Sequence, residues 1–110
     1  MYTLRDLIII RAILNKCNNK GRITLREIIE QLEQLNYLGI RLAPSSSDIY
    51  STLKLLEKKS LIRLEENNIH IIDRERLEKL AREIEERLDM TVLKLYREIL
   101  SFLNVKLINT

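Results

Sequence analysis

The hydrophobic period of this chain changes twice, and the order of those changes restricts the fold more than any single motif does. Up to about residue 59 apolar side chains recur three and four positions apart. From Leu61 they alternate, first as Leu61-Ile62-Arg63-Leu64-Glu65 and then, past Glu66-Asn67-Asn68, as Ile69-His70-Ile71-Ile72. Two short alternating runs about an Asn-Asn pair predict a hairpin, because Asn tolerates the positive φ that tight primed turns require. From residue 74 the helical period resumes. With two glycines and one proline in 110 residues there is little punctuation, so regular elements fill most of the chain and helix dominates.

Polar residues mark where the first helices start. Thr3 with Asp6 opens a helix over about 4–17, which Asn18, Asn19 and Gly21 stop. Thr24 and Glu27 have capping-box spacing and open a second, whose buried side reads Leu25, Ile28, Ile29, Leu32 and Leu35 and which Gly39 closes. After a linker over 40–44, the run Ser45-Ser46-Ser47-Asp48 caps a third helix over about 46–59 with Ile49, Leu53 and Leu56 turned inward. Ile23 is placed to add a short strand to the hairpin.

Charge is unevenly spread, and its distribution says more than the net +3. Residues 1–22 carry five basic and one acidic side chain, and residues 40–63 carry five and two. Residues 64–73 are acidic, and the tail is nearly balanced. A phosphate-bearing partner is therefore expected on the two basic segments. The lone Cys17 excludes an intramolecular disulfide and any CxxC metal site, which fits a reducing, cytoplasmic setting. The apolar run Leu7–Ile10 is too short for a membrane span and is flanked wrongly for a signal peptide.

Helix, strand residue, helix, turn, helix and two-stranded wing, in that order, resembles the winged helix-turn-helix superfamily over about residues 3–72. The likeness rests on Ile28-Ile29-Glu30-Gln31-Leu32 and on the stretch from Ser45 through Leu53-Lys54-Leu55-Leu56-Glu57-Lys58-Lys59-Ser60 to Leu61-Ile62. The resemblance implies that the third helix lies in the major groove of double-stranded DNA. Turning about 100° per residue from its buried side puts Ser47, Ser51, Lys54 and Lys58 on the opposite face, with Ser46 and Tyr50 beside them and no acidic side chain among them. Hydroxyls bond phosphates or base edges, and Lys supplies counterion-releasing charge. Arg41 and Arg63 are expected to add contacts, with Arg63 the one basic residue of a wing whose turn carries Glu65 and Glu66. That wing is given a lesser role.

Asp73 caps a last segment whose apolar seam reads Leu77, Ala81, Ile84, Leu88, Val92, Leu95, Ile99 and Phe102, a heptad-like spacing with one stutter at 89–91. A continuous helix over 74–103 would be roughly 45 Å long. So much apolar surface predicts a homodimer with this helix as coiled-coil interface. The expected fold is thus mainly α with a small β-hairpin: a winged helix-turn-helix domain over 1–73 and a helical dimerisation segment over 74–110. In this the chain is similar to small archaeal dimeric winged-helix proteins that regulate transcription or coat chromatin.

No enzyme is expected. Cys17 and His70 lie in different elements, the serines at 45–47 read as caps with no base beside them, and Gly21 and Gly39 stand apart, so no phosphate loop exists. No cofactor, metal, membrane or small-molecule ligand is expected either. The acidic wing supports a second reading, a protein-interaction module or a subunit of a larger assembly.

Overall fold

The computed structural model describes residues 2–16, 22–37 and 45–108, with side chains described for 2–15, 22–35 and 45–101. Five helices and three strands follow in the order α1 (Leu4–Lys16), β1 (Arg22–Thr24), α2 (Leu25–Tyr37), α3 (Ser46–Lys58), β2 (Ile62–Glu65), β3 (Asn68–Ile71), α4 (Arg74–Glu86) and α5 (Met90–Ile108). The fold is mainly α with a small antiparallel sheet of order β1-β3-β2, compatible with a winged helix. Gly21, Gly39, Cys17 and the linker over 40–44, including Arg41, lie outside the described residues.

Local hydrogen bonding accounts for the helix starts. The Thr3 amide donates to Asp6 Oδ2 at 2.8 Å while the Asp6 amide donates to Thr3 Oγ1 at 3.3 Å. The Glu27 amide donates to Thr24 Oγ1 at 3.1 Å. Ser45 and Asp48 form a reciprocal capping box. Each satisfies amides that a helix N-terminus would otherwise leave without partners.

The core is organised around α1. Leu7, Ile8, Ile9 and Ile10 are all fully buried, and so are Ala12 and Ile13. Four successive helical positions span most of the circumference, so no single neighbour can cover them. Helix α1 packs against α2, α3, α4 and α5. Ile23, Ile69 and Ile62 close the sheet side of the same core.

That central helix explains why the C-terminal segment differs from expectation. The segment, whose continuity the stutter left open, is two helices, because Asp89 at the stutter caps a new start: its Oδ1 accepts the Val92 amide at 2.9 Å and its carbonyl accepts Leu93 at 2.8 Å. Both halves fold back on α1. Of the expected intermolecular seam, Leu77, Ala81, Ile84 and Ile99 are at most 5% exposed inside the chain's own core. Leu88 and Leu95 pack against that core half-buried, Val92 is half-buried, and the side chain of Phe102 lies outside the described residues. Four of the eight seam residues are therefore buried within the chain itself. Tyr96, outside that seam, is also buried, at 2% exposure.

Polar contacts fix the same arrangement. Arg11 of α1 donates to Glu85 Oε1 of α4 through Nη2 at 2.7 Å and Nε at 3.0 Å, and Tyr96 of α5 donates its hydroxyl to the same oxygen at 2.6 Å. Arg74 at the start of α4 donates to the Leu14 carbonyl near the end of α1 at 3.0 Å. A cation there satisfies an end carbonyl and opposes the negative pole of the helix.

Candidate nucleic-acid interface

Helix α3 is held on three sides, and those attachments decide what it shows to solvent. Ile49, Leu53 and Leu56 bury its inner face. Thr52, 3% exposed, donates its hydroxyl to Asp6 Oδ1 of α1 at 2.5 Å. Near its C-terminus Glu57 Oε2 accepts the Leu64 amide of β2 at 2.9 Å. Because β2 is an edge strand, that amide has no strand partner on its outer side, and Glu57 satisfies it while blocking part of the edge.

The exit from α3 is equally defined. Leu61 donates its amide to the Leu56 carbonyl at 3.1 Å and Ser60 to the Glu57 carbonyl at 3.0 Å, the paired bonds of a Schellman ending. Ser60 supplies the left-handed residue, with φ 61°. The chain thereby turns into β2 within a few residues, which sets the sheet beside α3.

These contacts consume both acidic residues of the helix. Asp48 is tied to Ser45, and the Ser45 backbone amide, then its hydroxyl, hold the Asp48 carboxyl below its usual range. Glu57 is turned to β2. What remains outward is Ser46, Ser47, Ser51 and Lys58, all exposed, with Tyr50 at 51% and the Lys54 side chain at 56%. Lys54 Nζ stands 5.5 Å from the Tyr50 ring centroid and 3.9 Å from Glu57 Oε1. The face is short, hydroxylic and basic, and it is the stripe expected from helical spacing.

The remaining expected contacts are less favourably placed. Arg63 lies on β2, and its Nη2 is 3.6 Å from Glu65 Oε2, so the one basic residue of the wing carries a carboxylate beside it. At the turn, positive φ falls on Glu66 (φ 56°) among the described residues, rather than on the Asn pair expected from sequence. The pairing of Glu65 with Asn68 makes Glu66 and Asn67 the two-residue loop, and Asn68 is already in β3.

Sequence reasoning missed Asp6, Thr52 and Glu57 as the residues that orient α3. Glu57 offered no signal, since its partner is a backbone amide. Among the described residues no cluster of three or more His, Cys, Asp or Glu is placed to hold a metal, and no helix is long and apolar enough to cross a membrane. No family model matches this chain, and neither a curated protein nor a solved structure matches it.

Proposed function

We propose that this chain is a winged helix-turn-helix protein that binds double-stranded DNA, with the outer face of α3 in the major groove, as a transcriptional regulator or chromatin-associated protein. The observation that carries the reading is the outer face of α3, where Ser47, Ser51, Lys54 and Lys58 stand together while Asp48 and Glu57 are drawn to Ser45 and Leu64. A surface of hydroxyl and ammonium donors suits a polyanion, and its charge enters affinity through released counterions. Tyr50 adds a flat amphipathic ring beside Lys54.

In a homodimer, a second copy meets what the chain leaves uncovered, such as Met90 at 87% exposure. Leu77, Ala81, Ile84 and Ile99 are spent inside. A two-fold pair would then address a palindromic site.

The test is a salt series of binding to mixed-sequence duplex, comparing the chain with its Lys54→Ala/Lys58→Ala variant. Losing two phosphate contacts should reduce the log–log salt slope by about two. Absence of binding at low salt would sink the proposal. It would favour a second reading, a protein-interaction module, for which the exposed Glu65 and Glu66 of the wing are the supporting feature.

A further inference from the structure

Between α4 and α5 the sequence pattern and the folded path disagree. Residues 74–108 contain neither glycine nor proline, so backbone chemistry permits one unbroken helix there. At about 100° per residue, such a helix would carry the seam from Leu77 to Ile99 within an arc of about 80°. It would be about 52 Å long, whereas the longest principal extent of the folded chain is 34 Å. The chain bends at 87–89 so that α4 and α5 both pack on α1.

The bend is made by Arg87, Leu88 and Asp89, and few bonds hold it. Arg87 stays in the right-handed helical region (φ −91°, ψ −7°). Its amide and that of Leu88 reach carbonyls three residues back, at 3.1 and 3.2 Å, instead of four. Asp89, exposed, caps the new start through the Val92 amide. Straightening the turn exchanges that cap for ordinary i→i−4 bonds. What a lone chain would lose is packing, because Tyr96 and Ile99 leave the core and the Tyr96 hydroxyl leaves Glu85. Two chains that straighten together recover it, since each α5 reaches the place the other has vacated.

We propose that α5 is an exchangeable arm: two copies pair by swapping it, with residues 74–108 of each straightened into one helix and each α5 seated on the other copy's α1. The proposal rests on the chain being a homodimer and not on what that dimer binds. In the swapped pair Arg11 and Glu85 stay together within one copy, and Tyr96 arrives from the other. Leu88 and Val92, half-buried at the turn of the bent chain, come to the middle of the straightened helix beside the two-fold axis, where those of both copies meet. Short hinge segments favour such an exchange.

The experiment is light scattering on the full chain over a concentration series, after refolding at high protein concentration. Dimer refolded from an equal mixture of isotope-labelled and unlabelled chains then gives isotope-filtered NOEs, which report whether Tyr96 and Ile99 touch α1 of the same copy or of the other. Contacts between copies are expected. Asp89→Ala removes a cap that only the bent form uses, one in each copy, and should raise the association constant about thirtyfold. Met90 is the first residue of α5 and is 87% exposed; proline is tolerated at that position of the bent form but breaks the straightened helix. Met90→Pro should leave a folded monomer and lower association by more than about a thousandfold. A dimer whose NOEs from α5 to α1 all lie within one copy, or a dimer that Met90→Pro leaves unchanged, would overturn the exchange while keeping the homodimer. A monomer at every concentration, with Asp89→Ala as well, would overturn both. The NOE pattern decides independently of how either variant folds.

Discussion

The carboxylate of Asp6 bonds two elements at once: Oδ2 accepts the Thr3 amide that starts α1, and Oδ1 accepts the hydroxyl of Thr52, 46 positions away on α3. The start of the central helix and the orientation of the candidate recognition helix are thereby one structural unit. Asp6→Ala should cost about 2 kcal/mol, the sum of a cap and a charge-assisted hydrogen bond, and Thr52→Val about 1 kcal/mol. Urea unfolding of both single variants and the double variant measures the coupling. Strict additivity would mean that the two groups do not act together.

Ser60 ends α3 in the left-handed region that an L-residue occupies at a cost. Glycine adopts the same φ without a Cβ clash. Ser60→Gly should therefore raise stability by about 0.5–1 kcal/mol, read as a shift in the denaturation midpoint without a change in its slope. A loss of stability would show that the Ser60 side chain contributes more than its backbone strain removes.

Tyr96 is buried beside Glu85 and Arg11, and burial, then the hydrogen bond to Glu85, push its phenol up from the usual 10.0. A folded-state pKa above the unfolded one gives stability that is fully present below about pH 10 and is lost as pH rises through the folded value. Stability should fall above about pH 10, and Tyr96→Phe should flatten that fall. The same variant, with Glu85 and Arg11 still paired, should lose about 1 kcal/mol at neutral pH. A wild-type pH profile unchanged by the substitution would assign the alkaline loss to other groups.

A chain ending at residue 73 should not be a folded monomer. Removing α4 and α5 uncovers α1 and deletes Leu77, Ile84, Tyr96 and Ile99 from the core. At about 1.5–3 kcal/mol for each buried side chain the loss is on the order of 10 kcal/mol, comparable to the whole stability of a small domain. Circular dichroism should show lost helix and no cooperative thermal transition. A cooperative unfolding transition in the shortened chain would show that residues 1–73 form an independent unit.

Much of the local structure was legible because its causes are local. Thr3, Thr24 and Ser45 start helices through partners three residues on, and the alternation over 61–72 reports a sheet with one face buried. The outward stripe of α3 followed from 3.6 residues per turn alone. The run Leu7–Ile10 also held more than was taken from it, since four successive apolar residues on a capped helix mean burial on every side.

What the sequence by itself determined was which segments are helix or strand, where most of them begin, and which face of each is apolar. Periodicity and capping depend on residues a few positions apart, so a single chain displays them. Which apolar face meets which was decided only by the tertiary structure. The seam from Leu77 to Ile99 has the same spacing whether it packs on a second copy or on α1, and the choice lies with the circumference of α1 that must be covered. The contacts that orient α3 and align Arg22, His70 and Arg63 in one row likewise join residues far apart in the chain. Their pairing depends on packing and strand register, which no local pattern encodes.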